Sequence, residues 1–360
     1  MSENNLQWVM RRYVAADEIP SAEHFELISS PQPQPGPGEV LLKVLVLGTS
    51  PAQRMYVTKD SQFHIKVEPG EVMSGRGIAV VVASRHPDYQ EGEVMEGTLG
   101  WQQYVALSPD PQRRDGAHVT PVSRVEQPLR PLSTLLGIFG QRAFSAYVGM
   151  IEIGQTREGD AALVSAAAGG VGSIACQLAR IRGASRVVGM AGGEDKCRWL
   201  VKQGLCDAAI NYREGNLPEQ IRDHFPAGVD VFLDNVGGDT LDAVLENLAV
   251  GARIAICGHI STEYQNPRPP GPTHYYNLLY RRSRMEGFFV FDYLSRWPEF
   301  ERQLRDWYQE GRLISTDDVL TGIERMPDAL TSLFTGAHKG CCVVQVADDP
   351  SDLPQLKGNP

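Results

Sequence analysis

No pair of cysteines in this sequence has C-x-x-C spacing, and its eight histidines contain neither H-x3-H nor H-E-x-x-H. Local support for a zinc site is therefore missing. The six cysteines, Cys176, Cys197, Cys206, Cys257, Cys341 and Cys342, follow no framework spacing, and in a chain of 360 residues they read as reduced, mostly buried thiols. Positive charge is in deficit: 34 Lys and Arg stand against 44 Asp and Glu, a net charge of −10. That balance argues against sequence-independent nucleic-acid binding, which needs cations to neutralise phosphates. Long apolar runs are missing too, none approaching the roughly 18 residues that span a bilayer. Glu3 precedes any basic residue and no apolar core follows, so no secretory signal is expected. The expectation is a cytoplasmic protein with neither membrane nor nucleic-acid partners.

What is present is ordinary globular composition, 42% hydrophobic and 22% charged, at a length that suggests about two domains. From Val9 to about Leu132, Pro and Gly punctuate short β-branched runs at 40–47, 78–83 and 104–107, which predict a β-rich domain. The Pro- and Gln-rich stretch 31–38 reads as a stiff lead into the strand at 40. From about Gly140 strands alternate with helices. The strands fall at 161–165, 186–190, 208–211, 229–234 and 252–257, the helices at 170–181, 194–202 and 241–248. Near-continuous apolar strands between amphipathic helices predict a parallel sheet covered on both faces. A helix rich in acids and bases runs from Trp297, and a short strand at 342–346 is expected to return to the first domain.

The first strand of the second half runs through Ser165 into Ala166-Ala167-Ala168-Gly169-Gly170-Val171-Gly172 and then into a helix. Gly169 and Gly172 fit G-x-G-x-x-G, with Ala167 at the first glycine position. Small residues there let backbone N–H groups approach a pyrophosphate, and the helix N-terminus adds favourable partial charge. A glycine triplet alone is weak evidence. Strand, loop, helix and second strand in the required order make it strong, against the plain alternative of a tight turn with no ligand. An NAD site usually carries Asp or Glu at the end of the second strand. Here the run is Gly189-Met190-Ala191-Gly192-Gly193, and Glu194 and Asp195 are accounted for as helix-start residues. Lys196 in that turn is suited to a 2′-phosphate, a solvated surface lysine being the alternative, and Tyr212 supplies a second wall. NADPH is the expected cofactor.

These residues carry a resemblance. Together with Pro37-Gly38-Glu39-Val40, Gly70-Glu71-Val72-Met73, Gly100-Trp101, Ser145-Ala146-Tyr147, Asp234-Asn235-Val236-Gly237-Gly238, Ile256-Cys257-Gly258 and Arg284-Met285-Glu286-Gly287-Phe288, the loop resembles the zinc-independent medium-chain dehydrogenases/reductases. The branch is that of prostaglandin, 2-alkenal and curcumin reductases. The resemblance implies an α/β fold: a Rossmann doubly wound parallel sheet plus a GroES-like β-rich domain. The expected division is 1–139 for the substrate domain, 140–310 for the nucleotide domain and 311–360 for a return to the first. It implies no metal, since Gly70-Glu71-Val72 stands where zinc-dependent relatives carry Gly-His-Glu. It also implies a homodimer.

In such enzymes hydride passes from NADPH to the β-carbon of an α,β-unsaturated aldehyde or ketone, and charge gathers on the carbonyl oxygen. Tyr280 matches the family tyrosine that donates a hydrogen bond there. Without the match, a helix tyrosine packed on its ring is the simpler reading. The resemblance also assigns Asn235, Cys257, Ile260, Ser261 and Thr262 to the cofactor, with Phe288, Phe289 and Val290 on the other side of the nicotinamide. His338 replaces a family Asn beside the carboxamide. The proline-rich run 266–272 is read as an active-site rim or an ordinary surface loop. Departures from the branch are Gln141-Arg142-Ala143 for Met-Pro-Gly, Cys341 for Lys, and Ser50-Pro51-Ala52 where plant members carry Asp-Pro and a substrate-facing tyrosine. Quinone reduction on the same scaffold and a noncatalytic NADPH-binding protein are the alternative readings.

Overall fold

The computed structural model describes residues 4–61, 65–110, 122–262 and 269–355; Glu3 and residues 266–268 of the proline-rich run lie outside them. The described residues within Met1–Leu136, Asp317–His338 and Cys342–Gly358 form one unit, and those within Gly137–Thr316 and Lys339–Cys341 form another.

The first unit opens with β1 (Asn4–Met10) and β2 (Phe25–Pro31), paired antiparallel from Asn4 opposite Pro31 to Met10 opposite Phe25. Then come β3 (Val40–Gly48), α1 (Gln53–Tyr56), β4 (Arg76–Ser84), β5 (Val94–Thr98), β6 (Tyr104–Leu107) and β7 (Ser123–Arg124). The sequence of β3, VLLKVLVLG, is almost continuously apolar because its neighbours cover both faces, and only Lys43 and Gly48 are partly exposed. It pairs antiparallel with β4 and with β6.

The second unit begins with α2 (Gln141–Tyr147), which runs on into a π-helical turn over Val148–Ile153. It continues through β8 (Ala161–Val164), α3 (Gly170–Ile181), β9 (Arg186–Ala191), α4 (Glu194–Lys202), β10 (Ala208–Asn211), α5 (Leu217–His224), β11 (Val229–Asp234), α6 (Gly238–Glu246), β12 (Leu248–Ile256), α7 (Asn277–Arg281), β13 (Arg284–Gly287) and α8 (Trp297–Gln309). Strand order is β10-β9-β8-β11-β12-β13, all parallel. Counted within this unit the order is 3-2-1-4-5-6, the doubly wound topology that binds nucleotides where the order reverses. Leu163, Val188, Phe232 and Ile254 from four neighbouring strands are fully buried with Ile221 of α5 and Val244 and Leu245 of α6. The expected α/β fold class, with a parallel sheet and a separate β-rich sheet, is what the chain adopts.

The chain then returns to the first unit as β14 (Asp317–Thr321), α9 (Met326–Thr335) and, from Cys342 on, β15 (Cys341–Gln345). β15 pairs antiparallel with β3, from Val343 opposite Gly48 to Gln345 opposite Val46. The sheet order there is β14-β15-β3-β4-β5-β7. Met326, Ala329 and Leu330 of α9 join Trp8, Leu42, Met73 and Trp101 in that unit's core, and the Trp8 indole N–H donates to the Ile323 carbonyl at 2.8 Å.

Some elements differ from expectation. The helix expected at 241–248 is α6, three residues earlier at its start. Leu248 instead begins β12 opposite Val229, because Asn247 ends the helix by donating through Nδ2 to the Ala243 and Pro218 carbonyls at 2.9 and 3.1 Å. The hairpin β1–β2, α5, β13, β14 and α9 were not expected. The division between the units falls at 136/137 and 316/317, against the expected 139/140 and 310/311. Residues 312–316 stay with the second unit because they bind α3. The Ile314 N–H donates to Gln177 Oε1 at 2.8 Å, and the Ser173 and Thr316 hydroxyls lie 3.1 Å apart.

Candidate active site

The glycine-rich loop leaves the C-terminal end of β8, next to β11, where strand order reverses. Ala166 holds a left-handed backbone, φ +48°, uncommon for a residue with a side chain. The turn is closed by the Gly169 N–H donating to the Ala166 carbonyl at 3.0 Å and the Ala167 N–H donating to Met190 at 2.9 Å. A Cβ at Gly172 would lie 2.3 Å from the Ala166 oxygen and 2.6 Å from Ala167 Cα, so α3 approaches the loop as closely as backbone allows. A Cβ at Gly189 would lie 2.7 Å from that of Ala167. Alanine is thus accommodated at the first glycine position because β9 carries a glycine opposite it. The first N–H within the ladder of α3 is that of Ser173, which donates to Gly169 at 3.0 Å. The N–H groups of Gly170, Val171 and Gly172 precede it, and Gly169, Gly170 and Val171 are partly exposed, which suits an anion.

A second cluster forms where β9 and β10 end. The Asn211 side-chain oxygen accepts from the N–H groups of Gly193 (2.9 Å) and Arg213 (3.2 Å), drawing the turn before α4 onto the turn after β10. A Cβ at Gly192 would meet the Tyr212 hydroxyl at 2.5 Å and Arg213 Nε at 3.0 Å, so both side chains lie over this glycine. Lys196, partly exposed, stands in the first turn of α4. The acids of that turn face their own helix: Asp195 and Glu194 both pair with Arg198. Lys196 and Tyr212 were expected here. Arg213 was not, and its only sequence signal is its place beside Tyr212.

A third cluster joins the ends of β8, β11 and β12 through Asp234, which is fully buried. Its carboxylate accepts from the N–H groups of Val236 and Gly237, both at 2.9 Å, and from the Ser165 hydroxyl at 3.2 Å. Its carbonyl accepts from the N–H groups of Cys257 and Gly258 at 2.8 and 3.1 Å. Burial holds this carboxyl above the ordinary carboxylate range, and the donated hydrogen bonds oppose that shift. Asn235 is pinned by its backbone N–H to Ser165 Oγ and by Nδ2 to the Ser165 carbonyl, each at 2.8 Å. Sequence reasoning named Asn235 and missed the two buried residues that orient it.

The loop after β12 is tied to the same turn. The Ser261 N–H and hydroxyl both donate to the Val236 carbonyl, at 3.0 and 2.7 Å, and the Thr262 N–H donates to His259 at 2.9 Å. Ile260 is partly exposed within it. Desolvation pushes the Cys257 thiol up to about 12, although the residue as a whole is partly exposed, so it is a neutral thiol rather than a nucleophile.

The structure therefore brings 169–172, Asn235, Cys257, Ser261 and Thr262 to adjoining strand ends, with Lys196 and Tyr212 at the next two. Phe288, Phe289 and Val290 follow β13. Phe288 has ring atoms 3.4 Å from where a Gly149 Cβ would stand, Phe289 is paired with Phe291 at 5.0 Å between ring centroids, and Val290 is buried. Tyr280 lies on α7, 67% exposed, with its ring edge-on to Tyr276 at 6.0 Å; it is not packed into a core. His338 belongs to the first unit, with Nδ1 3.0 Å from the Ser332 carbonyl.

Known proteins match the chain over most of its length. Residues 7–114 match a family model described as the N-terminal domain of oxidoreductase, and residues 170–307 one described as zinc-binding dehydrogenase. Among the described residues, no three His, Cys, Asp or Glu side chains gather as a metal-ligand set. The chain is 34% identical to the NADPH-dependent curcumin reductase of Escherichia coli (strain K12), covering 96% of this chain and 98% of that protein. It is 33% identical to the 2-alkenal reductase (NADP(+)-dependent) of Nicotiana tabacum, with the same coverage. Prostaglandin reductase 1 of Mus musculus is 34% identical, over 94% of this chain and 98% of that protein. Among solved structures, CurA from Vibrio vulnificus in complex with NADPH superposes with a TM-score of 0.85 at 34% identity, covering 96% of this chain and 100% of that one.

Proposed function

The chain belongs to the zinc-independent branch of the medium-chain dehydrogenase/reductase family, and on that premise we propose that it uses NADPH to reduce the carbon–carbon double bond of α,β-unsaturated ketones or aldehydes. The observation that carries the reading is the corner at Gly192, where a glycine leaves room for Tyr212 and Arg213 beside Lys196 and no carboxylate ends β9. Such a corner suits a 2′-phosphate and lacks the strand-end carboxylate that accepts from a free 2′-hydroxyl in NAD sites.

The residues fit the dinucleotide along its length. The first turn of α3, cleared by Gly172, would hold the diphosphate, and Lys196, Tyr212 and Arg213 the 2′-phosphate. Asn235, Cys257, Ile260, Ser261 and Thr262, with Phe288, Phe289 and Val290, would border the ribose and nicotinamide, and the family resemblance adds His338. NADPH supplies the hydride. Tyr280 then has the role of donating its O–H to the substrate carbonyl oxygen as negative charge gathers there, and of passing a proton to the enolate that results. We assign substrate recognition to the β-rich unit.

A homodimer belongs to the same reading. β13 stands at the end of the parallel sheet with Arg284, Met285, Glu286 and Gly287 all exposed, and Tyr275, Leu279 and Phe289 are exposed nearby in sequence. An open edge strand of this kind is a template for pairing with another chain. A reducing, cytoplasmic setting suits six cysteines that form no disulfide.

The test is a cofactor-oxidation screen across enals, enones and quinones, with NADPH and with NADH. Faster turnover of enones and enals than of quinones, and much less with NADH, is expected. Quinones as the better acceptors would select a quinone reductase. Tight NADPH binding with no acceptor reduced would select a noncatalytic protein, and equal turnover with NADH would remove the 2′-phosphate corner from the argument.

A further inference from the structure

Position 142 departs from the branch pattern, so the family supplies no role for Arg142, yet the structure seats it on the glycine-rich loop. Gly140 is the N-cap of α2, and Arg142 is the second residue of that helix. A Cβ at Gly170, the first residue of α3, would lie 2.6 Å from Arg142 Cδ and 3.2 Å from its Nε. The arginine stem therefore occupies the place a side chain at 170 would take, against the first turn of α3. Its Nη1 lies 2.8 Å from the Cys341 sulfur, a contact between residues 199 apart in sequence.

Cys341 is itself held to the loop. The Gly340 N–H donates to the Ala168 carbonyl at 2.7 Å, Gly340 forms a parallel bridge with Gly169, and the Cys341 N–H donates to Thr316 at 2.9 Å. Gly340, at φ +75°, has room for nothing larger, since a Cβ there would stand 1.7 Å from the Thr316 oxygen. The guanidinium is thus fixed relative to the loop at two points, by Gly170 and by Cys341. Arginine stays protonated in proteins, so the guanidinium carries its positive charge wherever it is held. Arg142 is only partly buried.

We propose that Arg142 is a cofactor-binding residue of this chain, adding a fixed positive charge to the first turn of α3 and engaging the diphosphate that NADPH and NADH share. The inference rests on the nucleotide reading of the cradle. It separates two cationic positions: Arg142 serves any dinucleotide, whereas Lys196 and Arg213 serve only the 2′-phosphate.

The test measures dissociation constants for NADPH and NADH by nucleotide fluorescence with the intact protein, for wild type, Arg142→Gln and Arg142→Lys, over a range of ionic strength. Arg142→Gln is expected to weaken both nucleotides by the same factor of about ten, which corresponds to about 1.4 kcal/mol. It is also expected to flatten the dependence on salt, because one screened attraction has gone. Arg142→Lys keeps the charge and retains most of the affinity and the full salt dependence. A purely structural role for Arg142 would weaken binding without changing the salt dependence, and that result overturns the proposal. Unchanged binding in Arg142→Gln, or a loss confined to NADPH, overturns it as well. If wild type binds neither nucleotide, the reading of the cradle fails at its base, and the two failures are distinguishable.

Discussion

Gly172 is the position where the loop geometry makes its sharpest demand. In Gly172→Ala the new methyl would stand 2.3 Å from the Ala166 carbonyl oxygen and 2.6 Å from Ala167 Cα, where ordinary contact begins at 3.4 Å. Both neighbours are backbone. Ala166 already holds φ +48°, and Ala167 is tied to Met190, so neither rotates away. Helix α3 has to withdraw from the loop by about 1 Å, an overpacking that costs about 1–3 kcal/mol. At about 2–4 °C per kcal/mol for a domain of this size, the melting temperature should fall by several degrees. The same withdrawal takes first-turn N–H groups out of reach of a phosphate. Loss of one hydrogen bond to a charged group, about 1.5–3 kcal/mol, weakens NADPH by about ten- to a hundredfold. Thermal denaturation and a fluorescence titration read the two effects separately. A variant with unchanged melting temperature and unchanged NADPH affinity would refute the close-approach argument.

Gly192→Ala meets only the tips of Tyr212 and Arg213, which can swing aside, so its stability should stay within about 0.5 kcal/mol of wild type. Its NADPH affinity should fall toward that for NADH, and a preference that survives intact would count against the corner. Tyr280→Phe should lower kcat for enone reduction by about a hundredfold, the scale of one lost oxyanion donor, with NADPH binding preserved; stopped-flow turnover beside a binding titration checks this, and unchanged kcat removes Tyr280 from the mechanism. Because burial raises Asp234, the native state keeps its proton to higher pH than the unfolded chain does. Its contribution to stability is therefore full below the unfolded value and declines as pH rises through the native one. Melting curves of wild type and Asp234→Asn across acidic pH should differ by a term that falls with rising pH, and a difference that grows instead would reverse the assignment.

The helices α3 and α4 and the strands β10 and β11 were legible residue for residue, because each carries its own period and its own ends. The glycine-rich loop was legible for the same reason: five small residues lie between a strand and a helix in unbroken sequence. Lys196 and Tyr212 followed from their offsets to those elements. The hairpin β1–β2 was not legible, since its alternation is mixed and its register is decided by a partner some twenty residues away. Neither were β14 and α9, which are stable only against a core built by the first third of the chain.

By itself, then, the sequence determined the strand and helix alternation, the parallel sheet and the glycine-rich loop. Those depend on contacts between near neighbours, and near neighbours are visible in a string of residues. Tertiary structure alone decided why alanine can replace the first loop glycine, through Gly189 on the next strand. It alone joined Ser165 to Asp234 behind Asn235, set Arg213 over Gly192, and brought Arg142 to Cys341 from 199 positions away. Each of these depends on two segments meeting in space, and the free energy of such a meeting belongs to the packed sheet and its helices, not to either segment's local preference.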